Sequence, residues 1–301
     1  MWSLRSHFGG PRWRSTICGS PPDPRPALAG VVGKGPDASV LSATGRRGPL
    51  RGLACQAREV RNDGSGGVVD VTMTTWGFIG SGNIGTTVAR LAVAAGHDVV
   101  LSNSRGPQTL AGVVDDLGPQ ATAATAAEAA RDGDVVVVTI PLGNYPQVPP
   151  HELRAKIVID TMNYYPQRDG HIAALDAQTT TSSELLQAHL PASHVVKGFN
   201  NIFFQHLRDL SRPAGSPDRS ALAIAGDDVE AKGRVIELLD QIGYDAVDLG
   251  ALSEGWRIQP ETVAYGLMYA ADEQDWTAGA RAADAGQVTR RAAQAQRTTS
   301  A

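Results

Sequence analysis

The chain has 301 residues, of which 42% are hydrophobic, and its formal net charge is −4 at pH 7. This length can hold one large domain or two ordinary ones with a sizeable core. The acidic balance argues against a nucleic-acid partner, and apolar runs such as Val135–Val138 with Ile140 are far shorter than the roughly 18 residues of a membrane helix. Cys18 and Cys55 are too few for a disulfide framework or a zinc site. We therefore expect a soluble cytoplasmic protein without a metal site.

Residues 1–72 differ in composition from the rest of the chain. They hold 12 Gly and 7 Pro, and 10 Lys or Arg against 5 Asp or Glu, whereas residues 73–301 hold 17 basic and 26 acidic residues. Such a segment cannot bury enough apolar surface to offset the entropy lost on ordering, so we predict a disordered extension. A transit peptide and a basic interaction arm are alternatives. Met73, just before the first predicted strand, also fits a mis-assigned start.

From residue 76 onward, short β-branched segments alternate with segments of helical periodicity. The predicted strands cover residues 76–79, 98–101, 135–140, 156–160, 194–199, 221–225 and 244–248. The predicted helices cover residues 84–95, 109–117, 124–131, 183–189, 202–210 and 229–242. Continuously apolar strands are typical of parallel sheets covered by helices on both faces. The alternation therefore predicts an α/β, Rossmann-like, doubly wound and mostly parallel sheet with helices on both faces.

A glycine-rich motif follows the first predicted strand and opens the first predicted helix. It consists of Gly80, Ser81, Gly82, Asn83, Ile84 and Gly85. In this context the first glycine permits a tight turn, the second lets the backbone approach a pyrophosphate, and the third lets the helix pack on the strand. The helix amino terminus offers N–H groups and a positive dipole end to phosphates. The motif predicts a dinucleotide site; the alternative is a glycine-rich turn without a ligand.

The end of the second predicted strand indicates which dinucleotide binds. An NAD site usually carries Asp or Glu about 20 residues after the glycine motif, but this chain has Ser104 and Arg105 there and no carboxylate. A serine hydroxyl and a planar guanidinium would both donate hydrogen bonds to a 2′-phosphate. We therefore predict NADP(H); the alternative is that Arg105 is a solvated loop residue.

Five segments of the sequence together resemble one family of reductases. Residues 76–85, 104–105, 195–201, 225–228 and 248–252 resemble NADPH-dependent coenzyme F420 reductases, and the resemblance spans about residues 74–265. The same block is similar to the NADPH-binding domain of membrane ferric reductases and, more distantly, to pyrroline-5-carboxylate reductase. The resemblance implies phosphate contacts at Ser81 and Gly82, and a nicotinamide ribose packed against the segment that begins at Thr139.

The resemblance also implies a cleft in which the nicotinamide meets the ring of a small-molecule redox acceptor. Its candidate residues are Ile140, Pro141, Asn163, Lys197, Phe199 and Asn200. Several of them end predicted strands, and ligands bind at the carboxyl edge of open α/β sheets. Ile140, Pro141 and Phe199 are expected to line an apolar slot. Lys197 or Arg257 is expected to meet an anionic tail, although Lys197 also fits a structural role.

The leading functional hypothesis is hydride transfer between NADP(H) and coenzyme F420. Such a transfer needs positioning more than side-chain chemistry, and we assign no catalytic acid or base. The alternatives are reduction of a flavin, a quinone or a cyclic imine, and a non-catalytic NADPH-binding regulator. We place the domain boundaries at residues 1–72, 73–265 and 266–301, the last being a carboxyl-terminal helix and tail. Pairing of such helices in the family makes a homodimer an expectation.

Overall fold

The computed structural model describes residues 58–62 and 68–297 of the chain. Their β-strands form one eight-stranded sheet and two separate pairs. The strands are β1 (Arg58–Asn62), β2 (Val68–Thr72), β3 (Thr75–Ile79), β4 (Asp98–Ser102), β5 (Ala121–Ala123), β6 (Val135–Val138), β7 (Ile157–Asp160), β8 (His194–Lys197), β9 (Ala221–Gly226), β10 (Asp245–Asp248), β11 (Ala270–Asp272) and β12 (Asp275–Ala280).

Helices connect the strands of the large sheet. The α-helices are α1 (Asn83–Ala94), α2 (Ala111–Leu117), α3 (Ala126–Asp132), α4 (Pro166–Asp169), α5 (Ala173–Asp176), α6 (Ser182–His189), α7 (Phe204–Asp209), α8 (Val229–Gln241) and α9 (Ala285–Gln294). The 3₁₀ helices are Pro107–Leu110, Leu142–Gln147, Leu252–Ile258 and Leu267–Tyr269. Thr125 and Thr181 cap α3 and α6 in capping boxes, which satisfy N–H groups that a helix leaves unpaired.

The order of strands in the large sheet is β10–β9–β8–β7–β6–β3–β4–β5. Neighbouring strands are parallel except β8 and β9, which are antiparallel. From β3 the chain proceeds outward through β4 and β5, and then returns to β6 on the other side of β3. This reversal leaves a crevice at the carboxyl ends of β3 and β6, where ligands bind in such sheets. The predicted Rossmann-like, mostly parallel sheet is confirmed.

Both faces of the sheet are covered. Alternate residues of a strand point to opposite faces, and in β6 Val135 and Val137 belong to one apolar cluster whereas Val136 and Val138 belong to another. The first cluster includes residues of α1 and α8, and the second includes residues of α3 and α6. Burial on both faces explains why β6 consists of four valines, all of them buried.

The carboxyl-terminal region differs from the predicted helix and tail. Residues 270–280 form the antiparallel pair β11 and β12 before α9 begins. Contacts distant in sequence hold this region to the sheet: the Tyr269 hydroxyl donates to the carbonyl of Ala221 at 2.8 Å, and the Ala221 N–H donates to the carbonyl of Ala283 at 2.8 Å. The short strand β5 was also missed, because its alanines favour a helix intrinsically.

Two strands fall within the predicted disordered extension. β1 and β2 pair antiparallel, with Arg58 opposite Thr72. The remainder of residues 1–72, apart from these strands, lies outside the described residues. Among the helices of residues 68–297, none has both the length and the apolar character that a membrane crossing requires.

Candidate dinucleotide site and the neighbouring cleft

A cavity of about 330 Å³ lies at the carboxyl ends of β3, β4 and β6. We call it the dinucleotide cavity. It is lined by Ile79, Gly80, Ser81, Gly82, Ser102, Asn103, Ser104, Arg105, Ala126, Thr139, Ile140, Pro141, Asn144 and Gln147. The structure thus brings together residues of three predicted motifs: the glycine-rich turn, the Ser104–Arg105 pair and the segment after β6. None of the residues that line this cavity is a carboxylate.

The three motif glycines meet different surroundings. Gly80 has a φ of +109°, and a Cβ there would lie 2.3 Å from the carbonyl oxygen of Thr139. A Cβ on Gly85 would lie 2.6 Å from the carbonyl oxygen of Gly80. At Gly82 a Cβ would meet no atom within 4 Å, and φ is −76°. The surrounding protein atoms therefore require glycine at positions 80 and 85. At position 82, a side chain would be excluded only by a molecule bound in the cavity.

The amino terminus of α1 is open toward this cavity. Gly82 is the N-cap, no side chain caps the helix, and the first turn contains no acidic residue. By contrast, Asp228 and Asp284 cap α8 and α9 with their carboxylates. Asn83 and Ile84 begin α1 but do not line the cavity; Ile84 packs against the core. Unpaired N–H groups at a helix amino terminus form an anion site, so the cavity fits a pyrophosphate.

Ser104 and Arg105 lie on an exposed loop at the rim of the cavity. Within residues 68–297, neither side chain forms a hydrogen bond or an ion pair. The side chain of Asn103 shapes the loop, since its Oδ1 accepts from the N–H of Arg105 at 2.9 Å and its Nδ2 donates to Thr109 Oγ1 at 2.9 Å. The guanidinium of Arg105 thus has no carboxylate partner within residues 68–297, and the side chain of Asn103 holds its loop in place. Such a guanidinium is well suited to bind a phosphate.

We predict that Arg105→Ala weakens NADPH binding by about 10- to 150-fold and leaves NADH binding nearly unchanged. A charge-assisted hydrogen bond contributes about 1.5–3 kcal/mol, which corresponds to this range, and NADH lacks the phosphate. Calorimetric titration with both dinucleotides measures the effect. Arg90→Ala, which removes an exposed arginine of α1 outside the cavity, is the charge-matched control. Equal weakening of both dinucleotides would show that Arg105 only holds the loop.

Six lining residues were not singled out from the sequence: Ile79, Ser102, Asn103, Ala126, Asn144 and Gln147. Asn144 and Gln147 belong to the 3₁₀ helix that follows Pro141, and both are exposed. Their amide groups can donate and accept hydrogen bonds. Their position just after β6, on the ligand-binding edge, was the signal that could have identified them.

Asn163 and Asn200 bond to each other but do not line the dinucleotide cavity. Asn163 Nδ2 donates to the carbonyl of Asn200 at 2.8 Å, and Asn200 Nδ2 donates to Asn163 Oδ1 at 3.1 Å. Asn200 is buried, and its Nδ2 also donates to the carbonyl of Ile258 at 2.7 Å. Two predicted cleft residues are thus brought together at the ends of neighbouring strands.

A second cavity, of about 280 Å³, lies beside this asparagine pair. We call it the aromatic cavity. It is lined by Tyr164, Tyr165, Pro166, Gln167, Leu175, Asp176, Gln178, Thr180, Ser182, Trp256, Gln259, Pro260, Glu261 and Arg297. The N–H of Gly143 donates to Asp169 Oδ1 at 3.2 Å. This bond joins the 3₁₀ helix that lines the dinucleotide cavity to the segment that carries the two tyrosines.

Lys197 does not reach either cavity, which corrects the expectation that it meets an acceptor's tail. It is 1% exposed, and its Nζ lies 3.1 Å from Asp160 Oδ2 and 3.2 Å from Ser182 Oγ. It also donates to the carbonyl of Met162. Burial lowers the pKa of Lys197, while the carboxylate of Asp160 opposes that shift. Lys197 is therefore a structural cation that joins the ends of β7 and β8.

Phe199 is also buried, so it cannot line the expected apolar slot. It is 1% exposed and belongs to the cluster that includes α1 and α8. Its φ of 58° places it in the left-handed region, which non-glycine residues rarely adopt. The other candidate cation, Arg257, pairs with Glu254 at 2.6 Å and lies over Trp256.

Comparison with known proteins agrees with this geometry. Residues 75–164 match the family model described as NADP oxidoreductase, coenzyme F420-dependent. The F420-dependent NADP reductase of Methanocaldococcus jannaschii is 31% identical over 153 residues, which cover 45% of this chain and 61% of that relative. A solved structure of a putative F420-dependent NADP reductase from Arthrobacter sp. FB24 has 26% identity and a TM-score of 0.51, covering 60% of this chain and 85% of that one.

Two further proteins that are similar to this chain are not described as F420-dependent reductases. Metalloreductase STEAP3 of Rattus norvegicus is 29% identical over 205 residues, which cover 67% of this chain and 39% of the relative. This chain therefore spans about two fifths of the length of that metalloreductase. A hypothetical protein of Sinorhizobium meliloti has a solved structure with 29% identity and a TM-score of 0.54, covering 63% of this chain and 91% of that one. Residues 75–164 are therefore similar to NADP oxidoreductases described as coenzyme F420-dependent.

Proposed function

We propose that the protein is an NADP-dependent oxidoreductase that transfers hydride between NADP(H) and coenzyme F420. The observation that carries the NADP part is the construction of the dinucleotide cavity. Three features meet in this cavity, whose lining contains no carboxylate. The amino terminus of α1 has no side-chain cap, there is open space at Gly82, and the guanidinium of Arg105 forms no ion pair within residues 68–297. A dinucleotide with a 2′-phosphate satisfies all three features.

Different residues of the cavity would bind different parts of the dinucleotide. Ser81, Gly82 and the first N–H groups of α1 would hold the pyrophosphate, and Ser104 and Arg105 would hold the 2′-phosphate. The amides of Asn144 and Gln147 are placed to bond to polar edges of the ligand. When bound, NADPH supplies the hydride. The protein supplies position and a partly dry environment, which suffice for transfer between two rings.

The choice of F420 as acceptor rests on the family and on the M. jannaschii relative's name. The aromatic cavity supports a planar acceptor, because Tyr164, Tyr165 and Trp256 line it. Its volume is near the lower end of small-molecule sites, about 300–1,000 Å³, so it would hold a ring system and leave a longer tail outside.

An acceptor panel tests this proposal. The full-length protein is mixed with NADPH and, in separate reactions, with oxidised F420, a flavin, a quinone and a cyclic imine, and the absorbance of each acceptor and of NADPH is followed. We expect bleaching of F420 with stoichiometric oxidation of NADPH. Turnover with another acceptor alone would replace F420 in the proposal. NADPH binding without any turnover would identify a non-catalytic NADPH-binding protein.

A further inference from the structure

The aromatic cavity lies on the same edge of the sheet as the dinucleotide cavity. Tyr164 and Tyr165 follow β7, whereas Thr139 and Pro141 follow β6, and these two strands are neighbours. Adjacent strands lie about 5 Å apart. A dinucleotide with its 2′-phosphate at Arg105, after β4, and its pyrophosphate over β3 would extend its nicotinamide end toward β6 and β7. An acceptor ring in the aromatic cavity would approach that end.

We propose that Tyr165 is a catalytic residue that donates the proton an acceptor requires when it receives hydride. The inference rests on the proposed oxidoreductase function, but not on F420 in particular. A ring that accepts hydride at carbon accumulates negative charge on a conjugated nitrogen or oxygen. That atom takes the proton of the Tyr165 hydroxyl. NADPH thus supplies a hydride, Tyr165 supplies a proton, and Tyr165 is left as a phenolate.

A chain of hydrogen bonds orients the Tyr165 hydroxyl. The carbonyl of Ile258 can only accept, so it fixes Asn200 Nδ2 as a donor at 2.7 Å. Asn200 Nδ2 in turn donates to Asn163 Oδ1 at 3.1 Å, and the Asn163 Nδ2 group donates to the hydroxyl oxygen of Tyr265 at 3.2 Å. The hydroxyl oxygens of Tyr265 and Tyr165 lie 2.6 Å apart, and either can be the donor. Because the oxygen of Tyr265 already accepts from Asn163, we assign Tyr265 as the donor, which leaves the hydrogen of Tyr165 directed away from this chain.

The same chain stabilises Tyr165 after it has lost the proton. The Tyr265 hydroxyl remains a donor to the phenolate, since burial raises the pKa of Tyr265 above its usual range. Hydrogen bonds to a charged group are about twice as strong as neutral ones. In addition, the guanidinium of Arg168 lies 4.9 Å from the centre of the Tyr165 ring, although it also pairs with Asp169 at 2.8 Å. Tyr265 is accordingly a positioning residue.

Of the two tyrosines in the cavity wall, Tyr165 is the one whose hydroxyl can act in this way. The other tyrosine of the wall, Tyr164, uses its hydroxyl within the protein: it donates to Asp176 at 2.6 Å and accepts from the N–H of Ile172 at 2.9 Å. Within residues 68–297, the hydroxyl of Tyr165 has no hydrogen-bond partner other than Tyr265. It is thus available to a molecule in the cavity.

Single-turnover kinetics of tyrosine variants test the proposal. NADPH is mixed with saturating acceptor, taken from the panel above as the one that the parent protein reduces fastest. We expect Tyr165→Phe to slow reduction by about 10²- to 10⁴-fold, the usual contribution of a general acid, with NADPH affinity unchanged. Tyr265→Phe should slow it by about 10- to 150-fold, the value of one hydrogen bond to a charged group. Tyr145→Phe, in a half-buried tyrosine that lines neither cavity, is the control and should match the parent.

Non-additivity distinguishes a proton donor from a merely structural tyrosine. Once Tyr165 is phenylalanine, Tyr265 has no phenolate to stabilise, so the double variant should be no slower than Tyr165→Phe alone. The parent should also show a solvent deuterium isotope effect that Tyr165→Phe alters. The proposal is overturned if Tyr165→Phe stays within about threefold of the parent, or if the two losses multiply. A parent that binds NADPH and reduces no acceptor overturns both this inference and the proposed function.

Discussion

Replacement of Gly82 by valine should abolish NADPH binding while the protein remains folded. The new side chain would enter open space, because a Cβ at this position meets no protein atom within 4 Å and φ is −76°. That space is where the pyrophosphate approaches the backbone in a dinucleotide site. Valine is a poorer N-cap than glycine, which costs about 1 kcal/mol or less of stability. Calorimetric titration and urea unfolding measure the two effects separately.

Gly112→Val is the matched control for this experiment. Gly112 lies in α2, does not line the dinucleotide cavity, and also leaves open space within 4 Å of an added Cβ. We expect this variant to bind NADPH as the parent does. If Gly82→Val still bound NADPH with the parent's affinity, the glycine-rich turn would not be the phosphate site.

Replacement of Lys197 by methionine should lower the free energy of unfolding by about 3–5 kcal/mol, the usual cost of removing one partner of a buried ion pair. Asp160 would keep its hydrogen bonds from Ser183 Oγ, at 2.6 Å, and from the N–H of Met162, at 2.8 Å. However, its buried carboxylate would have lost the cation 3.1 Å away. Urea unfolding measures the change.

The double variant Lys197→Met/Asp160→Asn separates this explanation from a general packing effect. It removes the uncompensated charge and keeps an amide that can still accept hydrogen bonds, so it should recover most of the lost stability. Lys232→Met serves as a comparison, because Lys232 pairs with the half-exposed Asp248 at 2.9 Å and should matter less. If Lys197→Met kept the parent's stability but bound the acceptor more weakly, the result would instead support the expectation that Lys197 contacts the acceptor.

The dinucleotide cavity was largely predictable from sequence because its determinants are local. The three motif glycines lie within one strand–turn–helix unit: Gly80 is set by its positive φ, Gly85 by its close approach to Gly80, and Gly82 leaves open space for a ligand. Ser104 and Arg105 follow the next strand directly. Parallel strands end at one edge, so two local signals were enough to bring these residues into one cavity.

The neighbouring cleft was less predictable because side-chain burial there depends on distant segments. Lys197 and Phe199 end a strand on the ligand-binding edge, yet the partners that bury the lysine, Asp160 and Ser182, are distant in sequence. Tyr265 meets Tyr165 across 100 positions of the sequence. No periodicity or motif encodes such a pairing, and both tyrosines were overlooked for that reason.

Direct transfer of the hydride is the central claim, and isotope labelling tests it most directly. Full-length protein is incubated with oxidised F420 and NADPH that carries deuterium at both C4 positions of the nicotinamide ring, and the reduced F420 is analysed by mass spectrometry. If the hydride passes directly between the two rings, reduced F420 will contain one deuterium atom from NADPH. Reduced F420 without deuterium, or F420 left oxidised by protein that binds NADPH, would contradict it.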